Sequence, residues 1–190
     1  MKNRLPSFIA LILISLGSQL QAQKPKNADF SEGKKGWVGD GDVVYIASDG
    51  SISEEESEEA VPAIAIELRG HDWEEIRQRL SPRADDTSTS IAIEVMVGED
   101  FKPEKESRNY TDVDFQQGGQ YLWSAEVTPK CDFLVRVRDE GWWYYRPIKL
   151  AKPGKWKKIK EKFPDLKSRQ REISLMVPPG TGTVYIRGVE

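Results

Sequence analysis

Short runs in which every second residue is apolar recur through most of this chain. They constrain its fold more than any other feature. Successive side chains of a strand point to opposite faces, so alternation of period two marks a strand with one buried face. Residues 63–68 align Ile64, Ile66 and Leu68, and residues 90–97 align Ile91, Ile93, Val95 and Val97. Residues 121–127 align Tyr121, Trp123, Ala125 and Val127, and residues 132–138 align Phe133, Val135 and Val137. Residues 155–163 carry Ile159 and Phe163 in phase, 172–177 align Ile173, Leu175 and Val177, and 183–189 carry Val184 and Ile186 beside Tyr185. Residues 42–47 form a further short strand. Turn chemistry separates the runs at Pro153-Gly154 and Pro178-Pro-Gly-Thr-Gly182. Residues 73–80 fit a helical and a strand spacing alike; their bounds at Gly70 and Ser81-Pro82, within an alternating chain, favour the strand. About eight strands without a long helix imply an all-β fold, a two-sheet antiparallel β-sandwich.

The N-terminus reads as a targeting segment. Lys2 and Arg4 precede an apolar stretch over 5–16, broken by Pro6, Ser7 and Ser15, and residues 18–22 are polar and small-rich. This is the layout of a secretory signal peptide, with cleavage expected after Ala22 and one domain over 23–190. The stretch falls well short of a membrane span. The expected location is secreted or periplasmic, and no cysteine near the cleavage point supports a lipid anchor. Losing Lys2 and Arg4 takes the formal net charge from −3 to −5, which disfavours non-specific nucleic-acid binding. Cys131 is the only cysteine, so no disulfide closes within the chain. Phe133 and Leu134 follow it closely and mark it as a buried structural thiol.

Catalytic constellations are thinly supported. Any Ser-His-Asp or Cys-His arrangement would depend on His71, the one histidine, which sits in the polar run Gly70-His-Asp-Trp73 and reads as a loop residue. Composition excludes a His/Cys zinc cluster, and no glycine-rich phosphate loop is present. No catalytic residue is therefore assigned. A carboxylate pair for glycoside hydrolysis is defined by separation in space, so a small glycan-active hydrolase stands as an alternative. Residues 23–28 read as a short flexible lead and the acidic, serine-rich 48–59 as a solvated loop. Residues 100–119 read as a long polar loop carrying the sequon Asn109-Tyr-Thr111. The lysine-rich 149–162 reads as an edge strand guarded against aggregation, with contact to an anionic polymer as the alternative. Trp37, Trp73 and Trp123 are expected in the core.

The order of several motifs carries a family resemblance. Asn27-x-x-Phe30-x-x-Gly33-x-x-Gly36-Trp37 resembles the first strand of galactose-binding-like jelly-roll domains, among them many carbohydrate-binding modules. An apolar strand at 63–68, a strand with Ile76 and Gln78, Gly118-Gly-x-Tyr-x-x-Ser124, Gly154-x-Trp156 and Gly182-x-Val-Tyr-Ile186 follow in the same order. The resemblance covers nearly all of 23–190 and implies a jelly roll that binds carbohydrate. Such domains often hold a structural calcium with an acidic residue late in the final strand. Here Arg187 stands at that position, so no calcium or other cofactor is expected. Such modules are usually joined to a catalytic domain; with its last strand at the end, this chain reads as a stand-alone domain.

Residues 132–147 read as a β-hairpin with four consecutive aromatics and three arginines. A three-residue loop at Asp139-Glu-Gly141 would oppose Arg138 to Trp142, Arg136 to Tyr144, Val137 to Trp143 and Val135 to Tyr145. With Val135 and Val137 inward, Trp143 and Tyr145 would join the core. Arg136, Arg138, Trp142, Tyr144 and Arg146 would then face outward. Aromatic rings stack on sugar faces and guanidinium forks bind hydroxyls or carboxylates. The expected ligand is a polysaccharide or other glycan, and an acidic one would suit the arginines. A cation–π ladder that covers the sheet is the competing reading of the same five residues. A protein-interaction or structural module of an envelope or extracellular assembly is the alternative function, since Trp, Tyr and Arg also dominate protein hot spots.

Overall fold

The computed structural model describes residues 25–70, 72–80, 90–103, 120–121, 131–139, 142–150, 152–163, 166 and 170–190, without the side chains of 120, 121, 142 and 143. In chain order the strands are β1 Val38–Gly39, β2 Asp42–Ile46, β3 Ile52–Ser53, β4 Val61–Glu67, β5 Glu74–Leu80, β6 Ser90–Val97 and β7 Lys102–Pro103. They continue with β8 Gln120–Tyr121, β9 Phe133–Asp139, β10 Trp142–Ile148, β11 Lys157–Lys162, β12 Arg171–Val177, β13 Gly180–Thr181 and β14 Thr183–Arg187.

Among the described residues two six-stranded sheets form, the first in the order β1-β5-β12-β9-β10-β8 and the second in the order β11-β6-β14-β4-β2-β3. β7 and β13 make a separate short ribbon. Every pairing is antiparallel. The chain crosses between sheets from β1 to β2, from β4 to β5, back at β6, and again at β8, β11, β12 and β14. This repeated crossing makes the sandwich a jelly roll. The ambiguous segment 73–80 is strand β5, with Ile76 fully buried.

The core lies between the sheets. β12 contributes Ile173, Leu175 and Val177, β9 contributes Phe133, Val135 and Val137, and the second sheet answers with Ile64, Ile66, Ile93, Val95, Val184 and Ile186. All are in the phase that their alternation implies. Gly39 shows how closely β1 approaches β5: its φ is +123° and a Cβ there would sit 2.1 Å from the Glu75 carbonyl oxygen.

Two expectations about the N-terminal part are corrected. The run from Asn27 to Trp37 is a series of turns, not a strand. Asn27 Nδ2 donates to the Gly33 carbonyl (2.6 Å), its Oδ1 accepts from Glu32 N–H (2.9 Å), and Trp37 Nε1 donates to the Asn27 carbonyl (3.2 Å). Side-chain bonds of this kind favour turns over ladders. Phe30 and Trp37 are buried with ring centroids 5.5 Å apart. The lead, for its part, is not free over residues 25–28. Pro25 is buried, Lys26 N–H donates to Gln78 Oε1 (2.6 Å) and Gln78 Nε2 donates to the Lys26 carbonyl (2.9 Å). Gln78 points inward from β5, 3% exposed, and a buried amide requires partners. The Lys26 main chain supplies them.

Segment 48–59 is exposed throughout, the short strand β3 included. The signal segment, His71, Trp123, the sequon at Asn109 and most of the strand expected at 121–127 lie outside the described residues.

Candidate functional site

Alternation decides what the first sheet turns away from the core. β5 points Ile76 and Gln78 inward, so Glu75, Arg77 and Arg79 project outward; β12 likewise turns Glu172, Ser174 and Met176 to that side, where neighbouring side chains cover them. From β9 come Leu134, Arg136 and Arg138. Register places these in rows across the strands. One row runs Arg79–Glu172–Arg138, the next Arg77–Ser174–Arg136–Tyr145, and the third Glu75–Met176–Leu134–Pro147. The outward face thus carries four guanidinium groups and two carboxylates.

The hairpin register differs by one residue from the expected one. Trp142 is opposite Asp139, Tyr144 opposite Val137, Tyr145 opposite Arg136 and Arg146 opposite Val135. Two residues, not three, separate the paired ends, and a shift of one exchanges the faces of the whole strand. Of the five residues expected outward, Arg136 and Arg138 are on the outward face. Tyr144 is not: it packs against the main core. Arg146 shares its phase and turns to the edge, donating from Nε (3.0 Å) and Nη2 (2.7 Å) to the Lys162 carbonyl, with its guanidinium 5.0 Å from the Phe163 ring centre. Trp142 is in register with Asp139, and its side chain lies outside the described set. Tyr145, expected in the main core, belongs to the outward phase instead. It is buried there with Cys131, Leu134 and Met176 in a second apolar cluster, against which the half-buried Trp73 packs.

A closed hydrogen-bond triad ties the middle row to Glu75 of the third. Arg136 Nε donates to Ser174 Oγ (3.0 Å), Ser174 Oγ donates to Glu75 Oε2 (2.8 Å), and Arg136 Nη2 donates to the same oxygen (2.6 Å). Burial pushes the Tyr145 phenol above its ordinary range, and Arg136 beside it acts in the opposite direction. Burial also pushes the Cys131 thiol up to about 12, so it is a protonated structural group at neutral pH.

The row nearest the hairpin tip is open. Arg138 is exposed and the Arg79 side chain is 90% accessible. Glu172, 10% accessible, lies between two arginines: Arg79 Nε is 3.5 Å from Oε2, and Arg77 Nη1 is 3.9 Å from Oε1. At the β1 edge these side chains border a groove of about 420 Å³ together with Lys26, Gly36 and Val38.

Glu75, Arg77, Arg79 and Glu172 were not singled out from sequence. Their signal was present: Glu75-x-Arg77-x-Arg79 is a charged alternation interleaved with Ile76-x-Gln78-x-Leu80. On the opposite sheet, Arg187 pairs with Glu94 (2.8 Å) and stacks 4.0 Å from the Trp156 ring centre. Among the described residues no group of three His, Cys, Asp or Glu side chains could hold a metal. β11 is an edge strand, as its lysines imply.

No family model matches the chain, and no curated protein matches it. Among solved structures it is similar to β-sandwich carbohydrate-binding modules. TmCBM61, solved in complex with β-1,4-galactotriose, superposes with a TM-score of 0.49 at 15% identity, covering 88% of this chain and 97% of that one. A family 16 carbohydrate-binding module gives 0.47 at 13% identity, with 88% and 98% covered. A family 28 module specific for non-crystalline cellulose gives 0.47 at 11% identity, with 90% and 93% covered.

Proposed function

We propose that the protein is an exported, non-catalytic module that binds carbohydrate on the outward face of its first sheet. One observation carries this reading: β5, β12 and β9 bring four arginines and two glutamates into register on a single face, beside a groove. Guanidinium forks donate to hydroxyls and carboxylates in fixed geometry, and carboxylates accept from hydroxyls. A sugar offers both kinds of group at short intervals. The triad of Arg136, Ser174 and Glu75 holds the centre of the face rigid, so the ligand meets a preformed surface. The export half of the reading rests on the signal-peptide layout of residues 1–22.

Affinity electrophoresis against a panel of neutral and acidic polysaccharides tests it. The native chain should be retarded by at least one member. The double substitution Arg79→Ala with Arg138→Ala should abolish that retardation while leaving the thermal transition within a few degrees, because both side chains are exposed and Arg77 still faces Glu172. Unchanged retardation in the double variant would move the site elsewhere. No retardation on any polysaccharide, with a stoichiometric protein partner recovered from the native host, would replace this reading with that of a protein-interaction module.

A further inference from the structure

We infer that the groove beside β1 is a subsite for an anionic group on the glycan, a carboxylate or a sulfate borne by the sugar. The inference rests on the reading of the outward face as a glycan seat. It starts from the charge of the lining: Lys26, Arg77 and Arg79 face one carboxylate, Glu172. The surplus is positive in a chain whose formal net charge is −3, so it is local and not a property of the whole surface.

The geometry leaves donors for a ligand. Arg79 approaches Glu172 at 3.5 Å (Nε to Oε2), and its guanidinium makes no hydrogen bond among the described residues. Arg77 stands between Glu75 Oε1 at 3.5 Å and Glu172 Oε1 at 3.9 Å, both longer than a charged hydrogen bond. An incoming carboxylate or sulfate between these guanidinium groups would form the short, charge-assisted bonds that the internal pairs lack. Neutral hydroxyls would leave the positive surplus uncompensated.

The groove is built, not incidental. The Gln78 amide grips both the N–H and the carbonyl of Lys26, which fixes one wall. Gly36 keeps the floor low, since a Cβ there would come within 3.1 Å of Gln78 Nε2. Val38, 63% exposed on the rim, offers an apolar surface to the C–H face of a sugar ring.

The test titrates the full chain calorimetrically with polygalacturonate, its methyl-esterified form, a sulfated galactan and a neutral galactan. Polygalacturonate or the sulfated galactan should bind, and whichever binds identifies the anion. Esterification should weaken polygalacturonate at least tenfold, and added salt should weaken the acidic ligands selectively. Arg79→Ala should cost roughly tenfold in affinity, the expected loss of a charged hydrogen bond. Arg79→Lys should recover part of it, because the charge returns without the fork. Equal affinity for the esterified polymer, or binding of the neutral galactan alone, would overturn the anionic subsite and leave the glycan seat standing. Absence of binding in every arm would overturn the seat itself.

Discussion

Single side chains tie this sandwich together at places where its backbone would otherwise be loose. Gln78 is an amide facing the core at a strand position where an apolar residue is the usual occupant, and it holds the Lys26 main chain by two hydrogen bonds. Gln78→Leu should detach residues 25–28 and lower stability by about 1–3 kcal/mol, the cost of lost buried hydrogen bonds. Urea unfolding would read the loss, and faster amide exchange at Lys26 would locate it. Cys131 makes a pH prediction. Its folded pKa is raised to about 12, whereas an unfolded thiol titrates near 8.5. Above about pH 8.5 the unfolded chain therefore holds fewer protons than the folded one, so this contribution to stability is complete below that pH and is lost as pH rises toward 12. The wild type should lose stability between pH 8 and 10.5 more steeply than Cys131→Ala. Native protein at pH 9 should also resist a thiol alkylating reagent until urea is added; rapid native alkylation would contradict the burial.

At the scale of elements, β12 is the strand on which both faces depend. It lies between β5 and β9, and every one of its residues from Arg171 to Val177 is buried. Its inward row, Ile173, Leu175 and Val177, forms core, while its outward Ser174 joins the β5 and β9 side chains through Glu75 and Arg136. Arg136→Met should leave the Glu75 carboxylate and the Ser174 hydroxyl short of a partner. We expect a loss of about 2 kcal/mol, less than the 3–5 kcal/mol of a fully buried pair because Glu75 is partly accessible. Adding Glu75→Gln should recover part of that loss, and a double-mutant cycle by chemical denaturation would measure the coupling. Additive effects would show that the triad contributes nothing as a unit. β10 teaches a different lesson. Its alternation was legible, but four consecutive aromatics satisfy either register equally well. Burial of Tyr145 against Leu134 and Met176, and of Tyr144 toward the main core, depends on partners from other strands.

At the scale of the whole molecule, the readings of export and of binding come together in one prediction. Expressed in a secretion-competent host with its leader, the protein should yield a mature N-terminus at Gln23, read by mass spectrometry of the purified chain. Retention of Met1 would remove the argument for an exported glycan binder. What the chain by itself determined is the set of strands and their inward faces. Ile64 with Ile66, Ile93 with Val95, Val135 with Val137, and Ile173 with Leu175 all point where local alternation says, because a buried face imposes period two within a single strand. The burial of Trp37 and Cys131 was an equally local matter. Only the tertiary structure decided which strands neighbour one another, and with that the candidate site. Residues 75–79, 136–138 and 172 are far apart in sequence and become one face because β12 pairs with both β5 and β9. Pairing depends on long-range contacts between whole strands, and the hairpin register on a difference of one residue that no local pattern encodes.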